Sequence, residues 1–241
     1  MNPTRSAKHS AKQLGRFTAI VLLLLGAIGR GAAEGANIFV TSLADKVSDH
    51  GGCSLKEAIY SANTDSNLIP LTGVSFFMTG CVSGSGDDTI ILPVDQVILL
   101  SRVVDDQNNP FGPTATPMIT SRITIEMNGT RLQWIGSGAA RAFAVSSTGD
   151  LTIRNAYIKD FVARGGNGAY GGGGGLGAGG AIYVKGSGSL TVESSTFEHN
   201  GAFGGLGGGG NAGGGASLPL LSKRSRMAGP GPTVKGCGVS F

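Results

Sequence analysis

The sequence predicts an all-β parallel solenoid from three features: an internal repeat, a glycine-rich composition and many short strand-like runs. Residues 142–168 align with residues 181–207 when they are shifted by thirty-nine positions. In this alignment the apolar run Phe143–Val145 matches Ile182–Val184. Short runs separated by Gly, Ser and Asn are typical of solenoids, in which each turn buries its apolar face only against the next turn.

Glycine is the outlier of the composition. It accounts for 43 of 241 residues, more than twice its usual share of roughly 7%. More than half of the glycines lie between positions 165 and 215. We expect these stretches to be surface loops, because a run without side chains cannot fill a core and loses much entropy when it is ordered.

The net charge of +4 comes from the two ends of the chain. Residues 34–216 contain ten basic and fifteen acidic side chains, so the body is mildly acidic. Without a basic stripe interleaved with aromatic residues, the sequence does not predict a nucleic-acid partner.

The N-terminus has the pattern of a secretory signal peptide. A basic region through Arg16 precedes the apolar run 17–28, which is shorter than the ~20 residues that span a bilayer. Small residues follow, and we expect cleavage between Ala33 and Glu34, with residues 1–33 removed. The alternative is an uncleaved anchor. After removal of the signal we expect no transmembrane span, and export would favour disulfide bonds.

Three cysteines are present, and two of them can pair within one segment. We expect a disulfide between Cys53 and Cys81, against the alternative of two reduced, buried thiols. Cys237 lies in an atypical tail. The Cys and His spacings do not match a zinc site, and we expect no metal or cofactor.

One helix is predicted, over residues 54–63. Its apolar positions follow a helical spacing, at Leu55, Ala58, Ile59 and Ala62. Ser54 with Glu57 fits a capping box, although Cys53 could equally be the last non-helical residue. Such a helix can cover the open end of a solenoid.

The strand candidates are short and alternate apolar with polar residues, which suits a parallel β-helix better than a sandwich. A proline-rich loop is expected over 105–117. The predicted strands are 37–42, 88–93, 96–100, 122–126, 130–135, 143–145, 151–153, 156–158, 182–184, 190–192 and 196–197.

The chain changes character after residue 216, where strand alternation and Gly-Asn turns stop. We therefore divide it into a signal peptide (1–33), a cap with the first strands (34–100), coils with Gly-rich loops (101–216) and a non-solenoid tail (217–241). A truncation or frameshift would explain the tail, and a native disordered terminus is the alternative.

Cys53-Ser-Leu-Lys-Glu-Ala-Ile59 resembles the CSLREA motif, with Lys56 where that family usually has Arg. Its flanks are similar as well, at Phe39-Val-Thr-Ser42, Ala62-Asn63 and Gly84-Ser-Gly-Asp-Asp-Thr-Ile-Ile-Leu92. The motif caps secreted bacterial proteins that look like right-handed parallel β-helices. The resemblance covers roughly residues 37–100 and implies a pectin-lyase-like, right-handed β-helix with an N-terminal capping helix. The motif residues expected to be structural are Ser54, Leu55, Lys56, Glu57 and Ala58.

A second motif pair resembles the GGA[I/L/V] and FxxN repeats of polymorphic outer-membrane, adhesin-like proteins. It consists of Gly179-Gly180-Ala181-Ile182 followed by Phe197-Glu198-His199-Asn200. The resemblance implies a scaffold role: Phe197 stacks on the coil above or below, and Asn200 lies at a turn, where its amide can bond to neighbouring backbone and tolerate a left-handed conformation. The earlier coil departs from the pattern, with Arg141-Ala142-Phe143 at the first motif.

No catalytic residue is assigned. Carbohydrate-active enzymes on this scaffold need converging carboxylates, whereas adjacent residues of Asp87-Asp88 and Asp105-Asp106 would face opposite sides of a strand. Asp160, Glu193, Lys159 and His199 match no known catalytic spacing. We expect an exported, non-catalytic, adhesin-like or structural protein at the outer membrane or outside the cell. Its partner would be an extracellular glycan or a cell-surface protein, and the alternative is a polysaccharide lyase or hydrolase.

Overall fold

The structure is a computed structural model that describes residues 34–70, 76–104, 111–170, 172–208, 225–226 and 233–235. The chain divides into Met1–Ala33 and Glu34–Phe241, and every described residue belongs to the second unit. Within the described part there is one helix, α1, over Leu55–Thr64. The described strands are β1 (Asn37–Phe39), β2 (Leu68–Pro70), β3 (Phe76–Met78), β4 (Asp88–Ile91), β5 (Val97–Leu100), β6 (Arg122–Glu126), β7 (Arg131–Trp134), β8 (Phe143–Val145), β9 (Asp150–Arg154), β10 (Tyr157–Lys159), β11 (Val162–Arg164), β12 (Ile182–Val184), β13 (Ser189–Glu193), β14 (Thr196–Glu198), β15 (Gly201–Phe203), β16 (Ser225–Arg226) and β17 (Thr233–Lys235).

Two sheets combine strands from successive parts of the chain. Sheet A has the order β1-β4-β6-β9-β13-β17, and sheet B has the order β16-β14-β10-β7-β5. Their strands pair in parallel, except that β17 and β16 of the tail pair antiparallel with β13 and β14. Two smaller parallel pairs, β8 with β12 and β11 with β15, and an antiparallel hairpin of β2 and β3 complete the described strands.

The register of the parallel pairs reproduces the repeat of the sequence. Leu151 pairs with Leu190 in sheet A, and Ile158 pairs with Phe197 in sheet B. The smaller pairs join Phe143 to Ile182 and Ala163 to Ala202. Each of these pairs is separated by thirty-nine residues, which confirms the prediction of a β-rich chain with parallel sheets.

Inward side chains form columns across neighbouring strands, because alternate residues of each strand face the same side. In sheet A, Ile90 lies between Ile38 and Ile125, and the column continues through Ile153 to Val192. These side chains are at most 1% exposed. Burial of one such side chain contributes about 1.5–3 kcal/mol, so the columns stabilise the stacking of strands.

The helix and several strands differ from the prediction at their ends. The helix begins one residue later than expected and ends at Thr64, with Ser54 as its N-cap, which decides between the two candidates. Six strands were not predicted: β2, β3, β11 and β15, and β16 and β17 in the tail. The pair of β11 and β15 lacks a strong sequence signal because its second strand, Gly201–Phe203, begins with Gly and Ala, and backbone pairing holds it in place.

The glycine-rich segments 165–168, 172–177 and 201–208 pack backbone against backbone. The amide of Gly165 donates to Phe203, and the amide of Gly205 donates to Gly175, at 2.8 and 2.9 Å. A Cβ atom on Gly205 would lie 1.8 Å from the carbonyl oxygen of Gly166. The segments are partly exposed and, apart from β15 (Gly201–Phe203), lie outside helices and strands, as expected for loops. Their missing side chains allow this close approach of one backbone segment to another.

Candidate functional site

The first motif region is held by a disulfide between Cys53 and Cys81. The two Cα atoms are 4.6 Å apart, and the predicted bridge is present. Cys53 directly precedes the N-cap of α1, while Cys81 lies between the β2–β3 hairpin and β4. The bridge therefore ties the start of the helix, which packs against β1, β4 and β6, to the segment that enters sheet A.

The capping box of α1 continues into a buried ion pair. Ser54 Oγ accepts from the amide of Glu57, and Glu57 Oε2 accepts from the amide of Ser54 at 2.8 Å. The same carboxylate, which is fully buried, binds Lys46 Nζ at 2.7 Å and the amide of Ser48 at 2.7 Å. A buried carboxylate with this many donors is a structural anchor, because each oxygen is satisfied.

Lys56 forms a second buried pair beside the first. Its ammonium pairs with Asp45 and donates to the carbonyl of Arg102 at 2.9 Å. Burial alone would raise the pKa of Asp45, but hydrogen bonds from Lys56 and from the Ser101 and Arg102 amides outweigh it and lower this pKa.

Sequence reasoning missed Asp45 and Lys46 as partners of the motif. The sequence signal for this pairing was the order of the charges. Asp45-Lys46 is an acid followed by a base, and Lys56-Glu57 is a base followed by an acid, so the two dipeptides can form two ion pairs. The four charged side chains fix the loop before the helix onto the helix itself.

The GGA motif residues lie where backbone segments come close together. Gly179 has a φ of 65°, and a Cβ atom on Gly180 would lie within 2.9 Å of the Gly201 backbone. The carbonyl of Ala181 accepts from the amide of Ala142 in the preceding repeat. Ile182 is buried in β12. All four residues serve the packing of successive repeats.

The FxxN residues also connect neighbouring repeats. Phe197 is 2% exposed and lies in register with Ile158. Asn200 Oδ1 accepts from the amide of Phe161 at 2.9 Å, and its Nδ2 donates to the carbonyl of Ile158 at 3.0 Å. The expected left-handed conformation belongs to His199 instead, with a φ of 53°. Asn200 does not adopt the left-handed conformation that its side chain would tolerate, because its amide bonds do not require a positive φ.

The two aspartates of the Asp87-Asp88 pair face opposite sides of the strand. The side chain of Asp87 is 63% exposed and pairs with Arg122 at 2.7 Å, whereas Asp88 is 1% exposed and in register with Ile123. Asp88 Oδ1 accepts from the amides of Ala36 and Ser85, and its buried Oδ2 has no hydrogen-bond partner in the described part. Burial raises the pKa of Asp88. Asp105 and Asp106 lie outside the described residues.

The outer face of sheet A carries charges in alternating rows. Arg122 also pairs with Asp150 at 3.3 Å, and Arg154 pairs with Glu193 at 2.7 Å. Between these rows runs a line of threonines in register, namely Thr89, Thr124, Thr152 and Thr191. Neighbouring side chains of opposite charge therefore form ion pairs on this face. Glu193 pairs with Arg154 and not with a second acid.

Asp160 and His199 lie together at a turn of sheet B. His199 Nδ1 is 3.5 Å from Asp160 and 3.8 Å from Glu198, while Lys159 is 4.0 Å from Asp160. Gln133 donates to the same aspartate at 2.8 Å. This group joins two carboxylates to one imidazole, and Glu193 belongs to the other sheet.

An open recess of about 600 Å³ lies at the turns from sheet A to sheet B. The turns have unequal length, because residues 92–96 separate β4 from β5 whereas only residues 155–156 separate β9 from β10. Tyr157 borders the recess, with the Arg131 guanidinium 5.0 Å from its ring centre. Each turn has one non-glycine residue with positive φ, and these are Asp95, Asn128, Asn155 and Ser194.

The turn recess contains hydrogen-bond acceptors on Asp95, Asn128 and Asn155. The side-chain nitrogen Nδ2 of Asn128 donates to the carbonyl of Leu92, and Nδ2 of Asn155 donates to the carboxylate of Glu126. Each amide therefore offers its oxygen to a ligand, next to the carboxylate of Asp95. A ligand with many hydroxyl donors fits this chemistry.

Comparison with known proteins finds no matching family model, no curated protein with significant similarity and no solved structure with significant similarity. Within the described ranges, no helix has both the length and the apolar character required to cross a membrane.

Proposed function

We propose that the chain is a right-handed parallel β-helix that is exported and acts outside the cell or at its surface as a non-catalytic, adhesin-like or structural protein. The observation that supports this most is the thirty-nine-residue parallel register shared by four pairs of strands. A chain that returns to the same sheets in parallel needs a crossover each time, and such crossovers are right-handed in about 98% of cases. The CSLREA-like cap supports export.

The use of the charged side chains favours a binding role over catalysis. Arg122 lies between Asp87 and Asp150, and Glu193 pairs with Arg154. Glycoside-cleaving sites need carboxylates that are free to act as acid, base or nucleophile. Acids that are neutralised by neighbours on a strand face contribute instead to a polar lateral surface suited to a partner.

The turn recess supports a glycan as the partner. Tyr157 offers an amphipathic ring, and the acceptors of Asp95, Asn128 and Asn155 surround the same space. Sugars present both hydroxyl donors and apolar C–H faces, which match this combination.

Binding of the purified exported protein to an immobilised panel of neutral and acidic glycans tests the proposal. Tyr157→Ala should weaken binding about 5- to 10-fold, since ring contacts contribute roughly 1 kcal/mol. Tyr170→Ala is the matched control, because Tyr170 is fully exposed on a glycine-rich segment. Equal binding by both variants, or no binding to any glycan, would count against a glycan partner at this recess.

The enzyme alternative has one observation in its favour, the group of Asp160, Glu198 and His199. Incubation with polygalacturonate and other acidic glycans in the presence of Ca²⁺ should give no unsaturated product by absorbance. Product formation that is lost in His199→Ala would establish catalysis and refute the proposal.

A further inference from the structure

Arg141 is a buried cation whose described partners are all neutral. Arg141 is 5% exposed. Nε donates to the carbonyl of Ala178 and Nη1 to the carbonyl of Phe111, both at 2.8 Å. The guanidinium carbon lies 5.5 Å from the ring centre of Tyr183. Nη2 has no partner in the described part of the chain, and no described carboxylate forms an ion pair with this guanidinium.

A buried charge of this kind is costly unless a counterion accompanies it. Desolvation by burial lowers the pKa of Arg141 from its ordinary value, yet a guanidinium remains protonated at any physiological pH. Carbonyl oxygens and an aromatic ring reduce the cost of desolvation but do not cancel the charge.

The repeat itself does not call for an arginine here. Arg141 lies thirty-nine residues before Gly180, and Gly180 is small because the Gly201 backbone packs against it. One repeat earlier, the same position carries a long cationic side chain. The arginine contacts the next repeat at Ala178 and Tyr183, but these neutral groups do not neutralise its charge.

Arg141 lines a cleft of about 430 Å³ together with Arg164, and none of its ten lining residues is acidic. Arg164 is exposed, and its guanidinium lies 5.8 Å from the ring centre of Phe203. Asn167 also lines the cleft, and its Oδ1 already accepts from the amide of Leu206, so its Nδ2 is the group that it can offer. The volume lies within the range of small-molecule sites.

We propose that this Arg141 cleft binds an oxyanion, namely a carboxylate, sulfate or phosphate group. Nη2 of Arg141, the guanidinium of Arg164 and the amide nitrogen of Asn167 are the donors. Guanidinium groups suit this role because their planar N–H groups match the oxygen atoms of such anions. The inference goes beyond the proposed function, since the cleft is separate from the turn recess and its anion binding does not depend on adhesion.

The test is a titration of the isotope-labelled full chain with sodium sulfate, phosphate and acetate at constant ionic strength, followed by NMR. The backbone amides of Gly165 and Gly166 should shift and saturate. Arg164→Gln should weaken binding about tenfold, because a charge-assisted hydrogen bond is lost. Arg131→Gln is the matched control, since Arg131 is likewise an exposed arginine over an aromatic ring, and it should bind like the original chain.

Arg141→Lys provides a second variant. It keeps the positive charge but loses the planar guanidinium group, and it should also weaken anion binding. A sulfated monosaccharide distinguishes the source of the anion: tighter binding than inorganic sulfate indicates an anion carried by a sugar, and equal binding indicates a free ion. Shifts that rise without saturation and are the same in the Arg164 and Arg131 variants would show a general salt effect and overturn the proposal.

Discussion

Asp88 provides the sharpest test of the packing in sheet A. Its side chain lies in an inward position and is 1% exposed, and its Oδ2 has no partner in the described part. Desolvation raises its pKa above the ordinary value of 3.8, and the charges of Asp65 and Asp87 add to this effect. Stability from the protonated carboxyl is therefore fully present below pH 3.8 and is lost as the pH rises through the folded-state pKa.

We predict that Asp88→Asn stabilises the fold at neutral pH. The amide keeps an oxygen for the amide donors of Ala36 and Ser85 and removes the buried charge. The new NH2 group replaces the unpaired Oδ2 and also lacks a partner, so the gain comes from removal of the buried charge, and about 1 kcal/mol, or about 2–4 °C in Tm, is expected. Thermal unfolding followed by circular dichroism at pH 7.5 and pH 4 measures both values.

The gain should shrink as the pH falls from 7.5 to 4, because the raised pKa of Asp88 favours protonation of the original carboxyl over this interval. Asp87→Asn is the control, because Asp87 is exposed and its surface ion pair contributes little. If Asp88→Asn lowers Tm at both pH values, the charged carboxylate is needed for its two amide donors and the reasoning from burial is refuted.

Three further predictions concern stability. Replacing Cys53 by Ala opens a disulfide that spans 28 residues and should cost about 3–4 kcal/mol, or on the order of 10 °C in Tm; an unchanged Tm would contradict this. Gly205→Ala should increase hydrogen exchange across the glycine-rich segments because its Cβ would overlap a carbonyl, whereas Gly166→Ala has open space and should not; equal exchange would refute the close-packing argument. Glu57→Ala should cost about 2–4 kcal/mol in urea unfolding, because the partly buried ammonium of Lys46 and the amides of Ser48 and Ser54 lose their acceptor, against under about 1 kcal/mol for the partly exposed Glu193→Ala; similar costs would refute the assigned burial of Glu57.

The apolar columns were predictable because alternation and repeat length depend only on local sequence. The alignment that placed Leu151 on Leu190 is also the register in which these residues pair. The strands β11 and β15 were not predicted although the same repeat aligns Ala163 with Ala202, since Gly201-Ala-Phe203 has little strand propensity. The packing of the glycine segments was missed for a related reason: sequence rules treat glycine as flexible, whereas close approach of three backbones depends on tertiary structure.

At the candidate sites, the sequence located residues that act through local bonds. The box of Ser54 with Glu57 follows from a spacing of three residues along a helix. Two other features depend on how distant segments meet: the ion pair of Glu57 with Lys46, and the position of Arg141 in the lining of a cleft. A periodic sequence pattern does not predict such contacts.

The features available to a ligand lie where the chain departs from its own repeat. Side chains at positions that follow the repeat hold the scaffold together. The side-chain oxygen and nitrogen of Asn200, for example, both form hydrogen bonds with the preceding repeat. The turn recess exists because residues 92–96 form a longer turn than residues 155–156, and the Arg141 cleft exists because an arginine stands where the next repeat has Gly180. A repeated scaffold needs similar residues at equivalent positions of each turn. A position that departs from the repeat does not have to meet this packing requirement. Shortening the longer turn to two residues should therefore leave the strands intact while removing the recess.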